Sequence, residues 1–134
     1  MNREILFKAK RKDNGEWVEG YYVKTRLGTD IKPSDVIFVP FKINRNEEWG
    51  WIKIDPDTLC QYTGLTDKND KKIWENDIVK LPDEDDYFKC EWDEDAARFV
   101  LNGDGLTVDF DNYYGYECEV VGNIFDNADL LEVE

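Results

Sequence analysis

The stretch Asp67-Lys68-Asn69-Asp70-Lys71-Lys72-Ile73-Trp74-Glu75-Asn76-Asp77-Ile78-Val79-Lys80-Leu81 decides the fold class. Asp67 to Asp70 reads as a polar turn, Ile73-Trp74 as a short strand, and Glu75-Asn76-Asp77 as a second tight turn. Ile78 to Leu81 follows as a strand. It stops at Pro82, which has no N–H to give to a ladder. Turn residues separate short apolar runs here, and that is the pattern of strands and hairpins.

The same pattern extends in both directions. Towards the N-terminus, Ile5, Phe7 and Ala9 alternate with Leu6, Lys8 and Lys10. Asp13-Asn14-Gly15 supplies a turn in which glycine accepts a positive φ. Trp17 to Val23 is the returning strand, and residues 24–35 read as loop. Val36 to Val39 is a short β-branched run stopped by Pro40, and Asn44 to Glu47 turns the chain into Trp49-Gly50-Trp51-Ile52-Lys53-Ile54. Asp55-Pro56-Asp57-Thr58 ends that strand. Towards the C-terminus, Phe88–Trp92, Arg98–Leu101 and Leu106–Phe110 read as strands, with Asn102-Gly103-Asp104-Gly105 as a hairpin turn. In Glu117–Val121 the glutamates face out while Cys118 and Val120 face in. Asp126 to Leu131 fits one helical turn, with Asp126 as N-cap. Many short strands and few helical stretches predict a small barrel or sandwich.

The chain has 134 residues, 31 acidic and 17 basic, for a net charge of −14, and no histidine. This length suits one domain or two very small ones. With 41% hydrophobic and 14% aromatic residues, it can bury a core despite its charge. The absent histidine excludes Ser-His and Cys-His nucleophiles and imidazole zinc sites. Residues 1–67 hold 11 basic and 11 acidic side chains, whereas residues 68–134 hold 6 and 20. The whole imbalance therefore lies in the second half, densest at Asp83-Glu84-Asp85-Asp86 and Asp93-Glu94-Asp95. These seven residues are the candidate acidic interaction face, the bland alternative being a face of solvated carboxylates that keeps the chain soluble. A surface of this sign repels phosphate, so no direct nucleic-acid binding by that half is expected. The charge balance changes near residues 55–70, which is the natural seam.

The start of the chain reaches charge again after three apolar residues, too soon for a secretory signal, and no apolar run approaches the length of a membrane span. Cys60, Cys90 and Cys118 are an odd number without a Cys-x-x-Cys pair, and they read as small buried hydrophobes. A cytoplasmic protein with no membrane contact is expected.

The carboxylates form no catalytic or metal motif. From Asp67, an EF-hand register would place Lys72 where its glycine belongs, and from Asp83 it would place Phe88 there. Asp109 and Asp111 share one face of a strand and offer at best a weak cation site. The sole serine, Ser34, has no neighbouring base, and no Gly-x-x-x-x-Gly-Lys loop occurs. Trp49 and Trp51, with Lys53 beyond, have the composition of a single-strand stacking face. The usual place of such aromatics is the core, and that is the reading taken here. No enzyme activity, metal or cofactor is expected.

One segment goes beyond composition. Asp55-Pro56-Asp57-Thr58-Leu59-Cys60-Gln61-Tyr62-Thr63-Gly64-Leu65-Thr66-Asp67-Lys68-Asn69-Asp70-Lys71-Lys72-Ile73-Trp74-Glu75-Asn76-Asp77-Ile78-Val79 resembles the signature of the YopX family, small proteins encoded by phages and prophages of bacteria. Arg3–Ala9, Glu91–Phe99 and Glu119–Asn127 are similar to the family in the same order. The chain departs from the pattern in two turns, with Asp70 and Asn76 where the family usually has glycine. Both residues tolerate left-handed backbone better than other non-glycines, so the turns are expected to survive. The matching signature positions are Gln61, Tyr62, Thr63, Gly64, Asp67 and Asp77. Gln61 to Gly64 are read as a turn that fixes the seam between the halves.

The resemblance implies a mainly β fold: an N-terminal β element over residues 1–58, then a small SH3-like barrel over 59–134, with at most one or two short helical turns. One continuous domain is the alternative. It implies no reaction, for the family has no catalytic residues to carry over. The function expected is a non-enzymatic protein-interaction module of a phage or prophage in the bacterial cytoplasm. Its acidic face would meet a partner with a basic surface, and exposed strand edges leave homo-oligomers open. The alternatives are a DNA mimic that blocks a DNA-binding protein and, third, a small carboxylate enzyme.

Overall fold

Alternation sets the strands of a computed structural model that describes residues 5–39, 50–82, 87–103, 106–109 and 117–131. The chain is mainly β, and it divides into two compact units, Met1–Gln61 and Tyr62–Glu134.

In the first unit, β1 (Phe7–Lys10) and β2 (Trp17–Thr25) form an antiparallel hairpin with Ala9 opposite Val18. Gly15 takes φ +73° in its turn, as its place after Asp13-Asn14 requires. β2 is longer than β1. Its residues 17–20 pair with β1, and residues 21–25 pair with β3 (Ser34–Val39). Lys24, Thr25, Ser34 and Asp35 are therefore strand residues, not loop, because the β2–β3 ladder runs on past the apolar run at 36–39. Gly20 sits at the handover between partners, where a Cβ would stand 2.4 Å from the Phe38 carbonyl oxygen. β4 (Gly50–Lys53) adds to β3 with Ile37 opposite Ile52. Past its end, Ile54 bridges Arg11, Lys12 N–H donates to the Lys53 carbonyl at 3.1 Å, and Asp55 N–H donates to that of Lys10 at 2.9 Å.

The strand stop at 55–58 is a 3-10 turn, Pro56–Thr58. The Asp55 carboxylate caps it by accepting Asp57 N–H at 3.0 Å, and proline at the first position gives up no needed donor. Among the described residues Ala9, Ile37 and Ile54 form one buried cluster, with Phe7, Val18, Tyr22, Val39 and Leu59 packed around them, and Val36, Ile52 and Cys60 are buried as well. The Tyr22 hydroxyl donates to Asp35 at 2.5 Å, and that bond, with burial, raises its pKa.

β5 (Cys60–Thr66) pairs at its start with β1 and further along with β6 (Lys72–Trp74). The remaining strands are β7 (Asp77–Lys80), β8 (Tyr87–Asp93), β9 (Arg98–Gly103), β10 (Leu106–Asp109) and β11 (Glu119–Asn123). The two antiparallel sheets run β4-β3-β2-β1-β5-β6 and β10-β9-β8-β7-β11. Gly103 faces Leu106 across the β9–β10 pair. The second core is the larger one: Ile73, Val79, Leu81, Phe88, Cys90, Phe99, Leu101 and Cys118, with Leu65, Val108 and Val120 against it.

Two expectations change. Among the described residues neither sheet closes, so the SH3-like barrel is not seen as a barrel; the second sheet has β10 and β11 as edges rather than as a pair. Two 3-10 turns are present among the described residues, and the second, Ala128–Leu131, begins two residues after Asp126, so that Asn127 stands directly before it. The Asp126 carboxylate accepts from the Asn123 side chain at 3.2 Å, and the Asn123 Oδ1 holds the turn by accepting N–H of Phe125 and Asp126, each at 2.9 Å. The acidic tetrad 83–86, Trp49 and Asp111 lie outside the described residues, as does the side chain of Asp109.

Candidate functional site

Asp67 is 2% exposed. Its Oδ1 accepts the backbone N–H of Asn69 at 2.8 Å and of Lys71 at 3.0 Å, and its Oδ2 accepts Val120 N–H at 2.9 Å. The first two bonds close a turn in which Asp70 has φ +63°. The third ties that turn to β11, 53 residues further on. Burial alone would push the Asp67 carboxyl up, but the N–H groups of Val120, Lys71 and Asn69 and the Lys71 charge outweigh it and hold the carboxyl below its usual value.

Asp77, also 2% exposed, performs the same task one turn later. Its Oδ2 accepts Trp74 N–H at 2.8 Å across a turn in which Asn76 has φ +72°. Asn76 N–H donates to the Cys90 carbonyl at 2.7 Å, and its own carbonyl accepts Ile124 N–H at 3.0 Å. Both residues that stand in for glycine are thus left-handed, as their type suggested. Both buried carboxylates are engaged by backbone donors, which makes them clamps on turns.

Gln61 to Gly64 do not form a turn. They lie in β5, where the register with β6 slips between Tyr62, opposite Trp74, and Thr66, opposite Lys72. Gly64 takes φ +89° in this bulge. The Thr63 hydroxyl bridges it, donating to the Ile73 carbonyl at 2.7 Å and accepting Leu65 N–H at 3.2 Å. Tyr62 is buried with its ring 5.4 Å from that of Trp74, and Gln61 is opposite Phe7. The tight bend was visible in the Thr-Gly pair. Its form as a bulge was not, because that depends on the register with β6.

Of the acidic candidates described, Asp93 is a turn cap: its Oδ1 accepts N–H of Asp95 at 3.0 Å and of Ala96 at 3.4 Å. Glu94 and Asp95 are exposed at the tip of the β8–β9 hairpin. The three cysteines are buried free thiols. Burial raises the Cys90 pKa well above its usual value, and burial with the nearby Asp67 charge pushes Cys118 up to about 11. Both stay protonated at neutral pH and are poor nucleophiles.

Three exposed aromatics are described: Trp92 at 42% in the second unit, and Tyr21 and Trp51 in the first. Tyr21, Phe38 and Trp51 stand opposite one another on β2, β3 and β4. Tyr21 is 52% and Trp51 53% exposed, whereas the alternate residues Ile37, Ile52 and Ile54 are buried. The core reading is therefore wrong for Trp51: its strand has two faces, and the isoleucines are the inward one. Phe38 and Trp51 are stacked, with ring centroids 4.5 Å apart and planes at 16°. By alternation Trp17 lies on the same side of β2 as Tyr21, and the ammonium groups of Lys8 and Lys10 are 4.6 and 5.4 Å from its ring centroid. Sequence reasoning missed Tyr21 and Phe38, since only the cross-strand register brings them beside Trp51.

A cleft of about 450 Å³ opens beside Trp51. Leu27, Trp51 and Ile52 supply its apolar wall, and Arg11, Lys12, Lys53 and Asp13 its charges. Arg11 grips Asp13 through two bonds, Nε to Oδ1 at 2.8 Å and Nη2 to Oδ2 at 2.6 Å, which hold the Asp13 carboxyl below its usual value. Lys53 reaches Asp30 at 3.3 Å.

The strand order, the two turn clamps and the bulge are the structural counterpart of the signature read at 55–79. A family model described as YopX protein matches residues 6–132. The chain belongs to the YopX family. No curated protein matches it. Within this YopX chain the signature positions Tyr62, Thr63, Gly64, Asp67 and Asp77 shape backbone in the second unit or at its start, while the exposed aromatic face lies in the first. No helix among the described residues is long and apolar enough to cross a membrane.

Proposed function

We propose that this YopX-family chain is a non-enzymatic protein-interaction module of phage or prophage origin, acting in the bacterial cytoplasm on a partner with a basic surface. The observation that carries the reading is the charge division: residues 68–134 hold 20 acidic and 6 basic side chains, against 11 and 11 before them. The buried acids Asp67 and Asp77 are committed to backbone N–H groups, which leaves the surface acids as the attractive set. Glu94 and Asp95 project from a hairpin tip held by the Asp93 carboxylate, so they meet a partner from a fixed base. Charges of this kind steer encounter and set specificity more than they add affinity.

Affinity capture from bacterial lysate tests the reading. A defined basic partner is expected at low ionic strength and is released as salt screens the pairing. Neutralising the tip with Glu94→Gln and Asp95→Asn, and the tetrad with Asp83→Asn, Glu84→Gln, Asp85→Asn and Asp86→Asn, lowers the capture. A chain that retains nothing at low ionic strength rejects the proposal. Competition with duplex DNA for the captured partner separates a mimic, which DNA displaces, from a simple acidic face.

A further inference from the structure

We infer that the cleft beside Trp51 is a nucleotide site, taking a planar base against the open face of Trp51 and the attached phosphate among Arg11, Lys12 and Lys53. The base–phosphate unit is the shared chemistry, whether it arrives as a free nucleotide or within a single strand.

Three observations carry this. The first is the placement of Trp51. A tryptophan 53% exposed leaves a large aromatic surface in water, and here one face of the ring is stacked on Phe38 at 4.5 Å, which fixes its orientation before a ligand arrives. Bases stack on such rings without regard to sequence. The second is charge. In a chain of net −14 the described lining of the cleft holds three cations and one acid. Asp13 is taken up by Arg11 and Lys53 is partly offset by Asp30, while the Lys12 ammonium has no acid partner among the described residues. Among the described residues the balance left over is the positive charge of Lys12, which suits one phosphate. The third is size: about 450 Å³ lies within the range of small-ligand pockets, roughly 300–1,000 Å³.

The acidic second half does not decide against this. The half of the sequence that holds the cleft is electrically balanced.

The test is titration of the full chain, followed by the indole N–H signals of its five tryptophans. The probes are thymidine monophosphate, an eight-residue thymidine oligonucleotide and inorganic phosphate. The two thymidine probes are expected to move the Trp51 signal saturably, and phosphate alone to move it far less. Trp51→Leu weakens binding by about tenfold or more, the scale of one stacked base. Lys12→Gln, on the surface and harmless to folding, weakens it and lowers the slope of log affinity against log salt by about 0.7 for the oligonucleotide. Trp92→Leu, at the other half-exposed tryptophan, leaves binding unchanged. If only the oligonucleotide binds, the source is a strand; if the monophosphate binds as tightly, it is a free nucleotide. The inference is overturned if neither thymidine probe moves the Trp51 signal at low ionic strength, if Trp51→Leu binds as the parent does, or if inorganic phosphate matches the monophosphate.

Discussion

Among the described residues between Met1 and Gln61 the buried cluster is Ala9, Ile37 and Ile54, with Val36, Ile52 and Cys60 also buried, and two of the large aromatics, Tyr21 and Trp51, are half in water. Between Tyr62 and Glu134 the cluster runs to eight residues from Ile73 to Cys118, and two aspartates, Asp67 and Asp77, are buried as turn clamps. The second unit is thus held by a fuller core and by carboxylates turned inward. The first keeps aromatic area outside, where folding gains little from it. The family signature lies mostly where structure is made, and the cleft beside Trp51 lies elsewhere. A signature therefore marks what the fold needs, and function has to be sought in what the fold leaves exposed.

The largest test of this contrast is Asp67→Ala. It strips three backbone N–H groups of a charged acceptor, one of them that of the half-buried Val120 in β11. Hydrogen bonds to charged groups contribute roughly 1.5–3 kcal/mol each and are not additive, so a loss of about 3 kcal/mol is expected in urea unfolding. Asp67→Asn keeps one oxygen and loses less. Hydrogen exchange should show the loss in residues 62–131; an equal loss in residues 5–39 would mean that the two units unfold as one block, and a change below about 1 kcal/mol would remove the clamp. The same residue sets a pH dependence. Its folded pKa is lowered, so its contribution is fully present above the unfolded value near 3.9 and is lost as pH falls through the folded value. Asp67→Asn should flatten the acid limb of stability against pH.

Gly20→Ala probes the first unit in the same way. The added Cβ would meet the Phe38 carbonyl oxygen at 2.4 Å and Ile37 Cγ2 at 2.9 Å, and backbone cannot yield as a side-chain end can. Overpacking of this kind costs about 1–3 kcal/mol. Because the clash lies in the first unit, the loss should appear first in the Trp17 and Trp51 signals. If the second unit's Trp74 and Trp92 signals shift first, the division into a lightly and a heavily packed unit is wrong.

Much of this was legible in the chain itself. Turn residues and alternation place β1, β2, β6, β7 and β8 to within a residue or two, and Asp70 and Asn76 disclose left-handed turns by residue type alone. The cap at Asp93 was local and readable in principle, since an aspartate opening a turn commonly accepts the N–H groups that follow. What stayed hidden depends on partners distant in sequence. Nothing near Asp67 announces Val120. Alternation shows that Trp51 and Ile52 face opposite ways, yet only the packing of Ile37, Ile52 and Ile54 shows which way is inward. The cleft needs Arg11 and Lys12, from the first hairpin turn, beside Lys53, some forty residues later, and no local pattern foretells that pairing.

The smallest effects compare the left-handed residues themselves. Ala97, at the β8–β9 turn, has φ +54° with no polar side chain to favour it, whereas Asn76 at φ +72° is a residue type that tolerates this region. A left-handed non-glycine costs about 1–2 kcal/mol, and glycine gives back roughly 0.5–1 through the unfolded chain's freedom. Ala97→Gly should therefore stabilise by about 0.5–1 kcal/mol, and Asn76→Gly should be neutral or slightly stabilising. Thermal unfolding of both variants checks the ranking. If Asn76→Gly lowers the melting temperature clearly, its side chain contributes more than backbone tolerance. The turn after Trp74 would then depend on asparagine itself, and this chain's departure from the family's glycine would be a gain and not a tolerated cost.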